Sequence, residues 1–476
     1  MFLRKKLDKQ ISKSDIFSLA LGAIIGWGAF VLPGDLFLSH IGLQNTIIGM
    51  SLGALIMIII EKNYGFMLSK HAVAGGEYAF TYYSFGRHHA LICAWFLGLA
   101  YISIVPLNAT ALSLIAKSMF PGLLEKGFLY SIAGYKVYIG EILVASLALV
   151  LFAYFNIKGV KIASALQKVM TMFLVGIVFL LLFMVLNNPE IGNDNISTYL
   201  GLSKLSIPKI LKILTIAPFA YVGFDCIPQA AEELDFSPKK ASKLAMLSII
   251  VGCLIYVMLN IITAFAFTQE MILSSKIDWA TGDAVELLLG KIGLYSLGIS
   301  LLMAIVAGIN GFYMAASRIL FALSRAGAIN SWFSELDKKT KTPKNATLFV
   351  MAVSLITPWF GRSVLLWVVN MASIGAVIGY LYTSIAAYKL AKKENDKTIK
   401  VTGLLGAIFS SSFCVLLLFP GLRTSLTMPS YIALVAWAIL GIVFYRKQAK
   451  GYKSMKKETL DKLILNKDSK KLKNAS

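Results

Sequence analysis

Long apolar runs separated by short polar segments set the pattern of this chain. Runs of about 18 or more apolar residues recur along it, and such a run is long enough to cross a bilayer as a helix. The pattern predicts an all-α polytopic membrane protein with twelve membrane-spanning helices. The predicted crossings are 16–39, 45–68, 90–117, 137–156, 165–187, 208–232, 243–268, 293–324, 346–361, 364–389, 401–420 and 428–446.

The composition supports this prediction. Of the 476 residues, 57% are hydrophobic and 15% are charged, whereas soluble domains carry about 25% charged residues. The four cysteines, at positions 93, 226, 253 and 414, lie inside apolar runs and show no CxxC spacing. We therefore expect packed, reduced thiols rather than a disulfide framework or a metal site. No cofactor is predicted.

The net charge of +22 is concentrated in short segments between the runs and in the tail that begins at Arg446. This distribution follows the positive-inside rule and predicts a multi-pass protein of the plasma (inner) membrane with both termini cytoplasmic. A nucleic-acid partner is disfavoured, because no basic stretch lies on a foldable soluble domain. The expected partner is the lipid bilayer.

Two of the apolar runs contain residues that interrupt helices. The stretch "GAIIGWGAFVLPG" (22–34) carries four glycines and a proline, and "APFAYVGFDCIPQ" (217–229) places Gly223 and Asp225 between two prolines. Either one alone is compatible with an ordinary kink or a packing glycine. Their occurrence in the first and sixth runs, at corresponding places in two halves, is typical of secondary transporters with discontinuous helices.

Interrupted helices expose backbone groups that suit a zwitterion. Free N–H groups at the start of a half-helix attract a carboxylate, and free carbonyls at the end of the other half accept from an ammonium group. Glycine lets the backbone approach a ligand closely. The predicted carboxylate site consists of the amides of Gly26, Trp27 and Gly28, and the predicted amine site consists of the carbonyls of Ile24, Phe219 and Val222.

Several segments resemble one transporter family. They are "GAIIGWGAF" (22–30), "AGGEYAF" (74–80), "NIKGVKIASALQ" (156–167), "FAYVGFD" (219–225) and "ASRILFALSRAG" (316–327). Each is similar to a motif of the amino acid–polyamine–organocation (APC) superfamily, and they occur in the family's order. The resemblance implies a leucine-transporter-type fold, with helices 1–5 and 6–10 as inverted repeats and two accessory helices. It also implies a central amino-acid site and alternating access.

The sequence departs from the family's pattern in ways that concern coupling. Trp27 stands where a small residue is common, and its indole would block or shape the side-chain pocket. Leu174 occupies the position of a lysine that replaces a sodium ion in some proton-coupled members, and "AIVAGINGFYMAAS" in the eighth run lacks an adjacent Ser/Thr pair for sodium. Exchange of solutes and proton coupling through Asp225 or another carboxylate both remain open.

Polar and aromatic side chains at membrane depth supply further candidates. Asp225 is predicted to couple, gate or contact substrate, with helix capping as the structural alternative, and Phe219 is predicted to act as a gate. Tyr101, Asn108 and Asn310 are predicted substrate contacts, although such groups more often make interhelical hydrogen bonds. Arg318 and Arg325 would pair with acidic groups at an inner gate or contact lipid headgroups.

These inferences define the expected organisation and function. The segments are a cytoplasmic N-terminus (1–15), two inverted repeats (16–187 and 208–389), accessory helices (401–446) and a basic tail (447–476). The chain is predicted to be a secondary amino-acid transporter, a monomer or homodimer, working as a proton-coupled symporter or an exchanger. A non-transporting amino-acid sensor and a polyamine or amine transporter are the alternatives, and an enzyme is disfavoured because no sizeable water-facing loop is present.

Overall fold

The computed structural model describes residues 5–466 except 133, 275, 276, 278, 423 and 424, and it describes the backbone alone at 114, 118, 362–366, 368–370 and 448–450. The predicted N-terminal segment 1–15 and basic tail 447–476 therefore lie partly outside the described residues. The described chain is mostly helical, and its helices pack around one large apolar core.

The first half of the chain contains one interrupted span and four long helices. The helices are α1 (Lys13–Ile24), α2 (Gly28–Leu32), α3 (Leu43–Lys70), α4 (Gly76–Phe85), α5 (Arg87–Met119), α6 (Ile139–Lys158), α7 (Val160–Leu186) and α8 (Asp194–Ser197). A π-helix, Pro33–Ile41, continues α2. Since α1 and the continued α2 differ in direction by 44° across the break, the first span is bent where the glycines lie.

An antiparallel hairpin between α5 and α6 corrects the prediction of an all-α protein. Its strands are β1 (Phe128–Ile132) and β2 (Tyr135–Tyr138). Gly134, in the connection, has a φ of +79°, a conformation that tight hairpin turns require and that glycine adopts without strain. The fourth run was expected to begin as a helix at 137, but its first residues complete the hairpin and the helix starts at Ile139.

The second half also begins with an interrupted apolar run and continues with long helices. The helices are α9 (Ile207–Ala220), α10 (Cys226–Gln229), α11 (Pro238–Ala266), α12 (Gln269–Ser274), α13 (Ala280–Arg325), α14 (Lys344–Ile356) and α15 (Gly361–Glu394). Short 3-10 turns cover Leu202–Lys204, Ala231–Glu233, Ser331–Ser334 and Thr357–Phe360. Helix α13 bends at Gly290, where φ is +70°, so its first ten residues run in a different direction from the spanning part.

The last three helices are α16 (Lys397–Leu418), α17 (Met428–Ser454) and α18 (Lys457–Leu465). Helix α18 buries one apolar face against α4 and α13. The guanidinium of Arg87 donates to the carbonyls of Tyr452, Lys453 and Met455, which satisfies carbonyls at the C-terminal end of α17. The C-terminal end of α17 and helix α18 thereby lie at the same face of the bundle as α4.

Nine helices of the described residues are long and apolar enough to span a membrane, or ten if the bent pair of the first span is one crossing. The protein is therefore a polytopic membrane protein, but the count falls short of the predicted twelve. The two predicted crossings that contain no helix of sufficient length are the sixth and ninth runs, whose helices α9 and α14 have 14 and 13 residues. A helix of 13 residues covers about 20 Å at 1.5 Å per residue, less than the hydrocarbon core of a bilayer.

Candidate substrate site

The interrupted first span and the interrupted sixth run meet at their breaks. Helix α1 ends at Ile24, and α9 ends at Ala220. Gly223, between α9 and α10, has a φ of +132°, and a Cβ atom added there would lie 2.7 Å from the carbonyl carbon of Ala23 and the amide nitrogen of Ile24. Glycine is therefore required at 223, both for its backbone conformation and because the backbones of the two spans approach this closely.

A small enclosed cavity of about 30 Å³ lies at this junction. Its lining residues come from the first, third, sixth, seventh and eighth runs: Ala23, Ile24, Gly26, Trp27, Gly28, Ile104, Leu107, Asn108, Phe219, Val222, Tyr256 and Phe312. A space of this size holds about one water molecule, so the cavity as it stands is too small for a larger ligand. The buried Trp27 is one of the side chains that occupy the junction.

Backbone groups with unused hydrogen-bonding capacity surround the cavity. Within the described part of the chain, the amides of Gly26 and Gly28 donate to no other residue, and the carbonyls of Ile24, Phe219 and Val222 accept no backbone hydrogen bond. Buried backbone groups are nearly always paired. The donors and the acceptors at this junction are thus available to a ligand or to water.

Asn108 adds a side-chain acceptor to the cavity. Its Nδ2 donates to the carbonyl of Ile104 at 3.0 Å, while its buried Oδ1 accepts from no described residue. A Cβ atom added at Gly26 would lie 3.4 Å from this oxygen, so the unused acceptor faces the break in the first span. A buried amide oxygen without a donor is costly, and a ligand ammonium or hydroxyl would satisfy it.

Two of the predicted site residues lie beside the cavity rather than in its wall. Tyr101 donates to Oδ2 of Asp225 at 2.9 Å, and Oδ1 of Asp225 accepts from the amide of Gly223 at 2.7 Å. Both side chains are fully buried. Asp225 therefore fixes the backbone at the sixth-run break, and Tyr101 links this carboxylate to the third run.

A second buried carboxyl group lies near Asp225. Glu77, on α4, accepts a hydrogen bond from Nε2 of Gln229, on α10, and it is close enough to Asp225 for the two to interact electrostatically. Glu77 is also fully buried. Among the described residues neither carboxyl forms an ion pair, so two carboxyl groups share this region without a neighbouring cation.

Asn310, the remaining predicted contact, lies in an interhelical network away from the cavity. Its Nδ2 donates to Oε1 of Gln167 at 2.7 Å, and its Oδ1 accepts from Asn156 at 2.8 Å. Gln167 and Thr171 in turn both donate to the carbonyl of Ser18 on α1. This network connects the first half of the first span to α6, α7 and α13.

The face that carries α4 and α18 is sealed by two buried ion pairs. Arg318 contacts both carboxylate oxygens of Glu233, at 2.8 and 3.1 Å, and Arg325 contacts Glu232 at 2.8 Å. Pairing of the two arginines with acidic groups, one of two alternatives from the sequence, is confirmed. The N-terminal segment adds to the seal, since the amides of residues 10 and 11 donate to the carbonyl of Glu233.

Sequence reasoning missed five of the lining residues: Ala23, Ile104, Leu107, Tyr256 and Phe312. Ile104 had a usable signal, because it lies three and four residues from Tyr101 and Asn108 and so shares their helix face. Tyr256 and Phe312 are ordinary aromatic residues of long apolar runs, and only the packing of α11 and α13 brings them to the junction.

Comparison with known proteins agrees with this arrangement. The family model described as "Amino acid permease" matches residues 11–444. The methylthioribose transporter and the branched-chain amino acid permease BcaP, both of Bacillus subtilis, are each 25% identical to this chain over 93% of both lengths. The aspartate-proton symporter of the same organism is 26% identical over 85% of this chain and 78% of its own. This chain is therefore a transport protein rather than an enzyme, and it belongs to the amino acid permease family.

Proposed function

We propose that this protein carries an amino acid across the membrane by alternating access. The single observation that carries the proposal is the junction of the two interrupted spans, where unused amide and carbonyl groups surround one cavity. The amides of Gly26, Trp27 and Gly28 hold the substrate carboxylate, and the carbonyls of Ile24, Phe219 and Val222 hold its ammonium group. Asn108 supplies an additional acceptor, and Phe219 acts as a gate.

The proposal includes the topology implied by the family resemblance. In this topology ten of the twelve spans form two inverted repeats, 16–187 and 208–389, and the last two are accessory helices. The protein lies in the plasma membrane with both termini in the cytoplasm. The similar interruptions of the first and sixth runs support the repeat. The short helices α9 and α14 would cross the bilayer together with the turns that continue them.

The inner gate consists of the two ion pairs and the N-terminal segment. Arg318 and Glu233 are nearly inaccessible, and their elements, α13 and the turn after α10, must separate for the site to open on this side. The present conformation is closed on this face around a contracted site. Substrate binding from the opposite face, followed by separation of Arg318 from Glu233, completes one half of the cycle.

Coupling to protons is supported by the two buried carboxyl groups beside the site. Asp225 and Glu77 lie at the sixth-run break without a neighbouring cation among the described residues, and ionisable groups at membrane depth commonly mark proton or substrate pathways. A proton shared by this pair would neutralise the region during symport. Amino-acid exchange without protons is the alternative.

One comparison adds a second candidate substrate class. The methylthioribose transporter matches this chain as well as the branched-chain amino acid permease does, so similarity does not choose between these compounds. Uptake and counterflow in proteoliposomes, with common amino acids, polyamines and methylthioribose as substrates, test the proposal. Saturable transport of an amino acid supports it, whereas binding without uptake or exchange would indicate a sensor and contradict it.

A further inference from the structure

A second cavity, unrelated to the substrate site, lies between α5 and α17. It measures about 350 Å³ and is lined almost entirely by apolar atoms. Engineered apolar cavities of about 150 Å³ already bind benzene-sized ligands. The space is therefore large enough for a substantial apolar group, and it is far larger than the gaps of ordinary side-chain packing.

Two contacts join α17 to α5 and frame this cavity. At one end the rings of Trp95 and Trp437 stack, and each indole N–H donates to the other residue's backbone carbonyl at 3.1 and 3.2 Å. At the other end Nδ1 of His88 and the hydroxyl of Tyr445 are 2.5 Å apart. The contacts are seven residues apart on α5, which corresponds to about 10 Å along the helix.

The interval between the two contacts is open, although Gly441 itself packs closely against the ring of Trp95. Ala438 and Gly441 line the cavity on α17, and Ala328 and Ile329 form part of its back wall. The mouth carries Ile92 and Ile442, which are about half exposed. The opening is therefore continuous with the apolar surface that α17 presents to the surrounding bilayer, almost none of which is buried by the rest of the chain.

Positive charge lies at the His88–Tyr445 end of the cavity. The ammonium group of Lys453 is 4.7 Å from the centre of the Tyr445 ring, and Arg446 and Lys447 follow Tyr445 directly and are exposed. None of these three cations forms an ion pair with a described carboxylate. Basic groups beside an apolar gap between membrane helices are suited to an anionic lipid headgroup.

We propose that this cavity is a binding site for an anionic phospholipid. One acyl chain occupies the space between α5 and α17, framed by the tryptophan pair and the His88–Tyr445 contact, and the phosphate-bearing headgroup lies beside Lys453, Arg446 and Lys447. The bilayer supplies this ligand, since the mouth opens to the lipid-facing surface. The site is independent of the substrate cavity, so this proposal stands or falls separately from the transported compound.

Native mass spectrometry of the detergent-purified protein tests the proposal, with phosphatidylglycerol and phosphatidylcholine offered in equal amounts. We expect one phosphatidylglycerol to remain bound in preference to phosphatidylcholine, and the preference to be lost in the Lys453→Gln/Arg446→Gln variant. Because the two lipids are compared on the unmodified protein, this result does not depend on whether a cavity variant folds. Equal retention of the two lipids, or retention of neither, would overturn the proposal.

A cavity-filling variant locates the bound lipid. Ala438→Phe places a ring in the cavity. Ile439→Phe introduces the same ring at the next residue, which is outside the lining and exposed. We expect Ala438→Phe to lose the bound phosphatidylglycerol and Ile439→Phe to keep it. Retention in both variants would contradict the assigned location, and a dimer of the unmodified protein that becomes a monomer in Ala438→Phe would show that a second copy occupies the cavity instead.

Discussion

Arg318 and Glu233 form a two-point ion pair with less than 5% of either side chain exposed. Removing one partner of a buried pair leaves an uncompensated charge, at a cost of about 3–5 kcal/mol. Because the pair joins α13 to the turn after α10, that cost falls on the conformation in which this face is closed. Under the proposed alternating access, the pair would therefore connect the stability of the closed state to the transport cycle.

The first prediction concerns this pair. Glu233→Gln should open the sealed face, because Arg318 would lose its counter-charge. Hydrogen exchange of backbone amides in residues 5–11 and 226–235 should increase, and adding Arg318→Gln should reverse part of the increase, since no lone charge then remains buried. Glu394→Gln, in the exposed pair with Lys70, is the control and should change exchange little. Unchanged exchange in Glu233→Gln would contradict the gate.

The second prediction concerns the close approach of the two breaks. Gly223→Ala should separate the spans, because a Cβ atom would lie 2.7 Å from the backbone of the first span. Gly122→Ala is the control, since Gly122 also has a positive φ but has no atom within 4 Å of an added Cβ. Backbone strain of about 1–3 kcal/mol applies to both. We expect the thermal unfolding midpoint to fall further in Gly223→Ala than in Gly122→Ala, and transport to be lost in Gly223→Ala alone. Equal effects of the two substitutions would contradict the close approach of the two breaks.

The third prediction concerns the proposed carboxylate site. Gly28→Leu should abolish substrate binding while the protein still inserts into the membrane, because the side chain would occupy the cavity beside Tyr256. Gly176→Leu makes the same substitution on α7, where an added Cβ meets no atom within 4 Å, and should bind normally. Substrate-dependent thermal stabilisation measures both variants. Wild-type affinity in Gly28→Leu would count against the proposed contacts.

The fourth prediction separates proton coupling from exchange. Asp225→Asn should lose uptake driven by a proton gradient but retain counterflow exchange, because the charge that a proton would neutralise is gone. Glu61→Gln removes a different buried carboxyl group, on α3, which accepts a hydrogen bond from Ser242, and it should keep gradient-driven uptake. Gradient-driven uptake that survives in Asp225→Asn would exclude this carboxylate as the coupling group.

The breaks in the first and sixth runs were predictable, because glycines and prolines cluster in both runs at corresponding places. A single such residue does not break a helix, as Pro106 inside α5 shows. The surroundings of Asn310 were not predictable from the sequence. Helical periodicity shows on which face of a helix a residue lies, but only the packing of the helices shows that Asn310 contacts Gln167. The hairpin was missed because its apolar strand β2 leads directly into the apolar α6. Helix α9 is shorter than its apolar run because the backbone leaves the helical conformation before Gly223, where φ is +132°. Helix α14 ends two residues before Pro358, and a 3-10 turn follows it.

The central claim is that backbone groups of two interrupted spans hold both charged ends of one small zwitterion. Competition in proteoliposome uptake tests it most directly. Uptake of a labelled, transported amino acid is measured in the presence of one of four unlabelled competitors. They are the same amino acid, its amide, which lacks the carboxylate, its 2-hydroxy acid, which lacks the ammonium group, and methylthioribose. The account predicts that the amino acid competes and that each analogue lacking one charge competes at least about tenfold more weakly, which corresponds to about 1.4 kcal/mol. Equal competition by either analogue, or competition by methylthioribose alone, would contradict it.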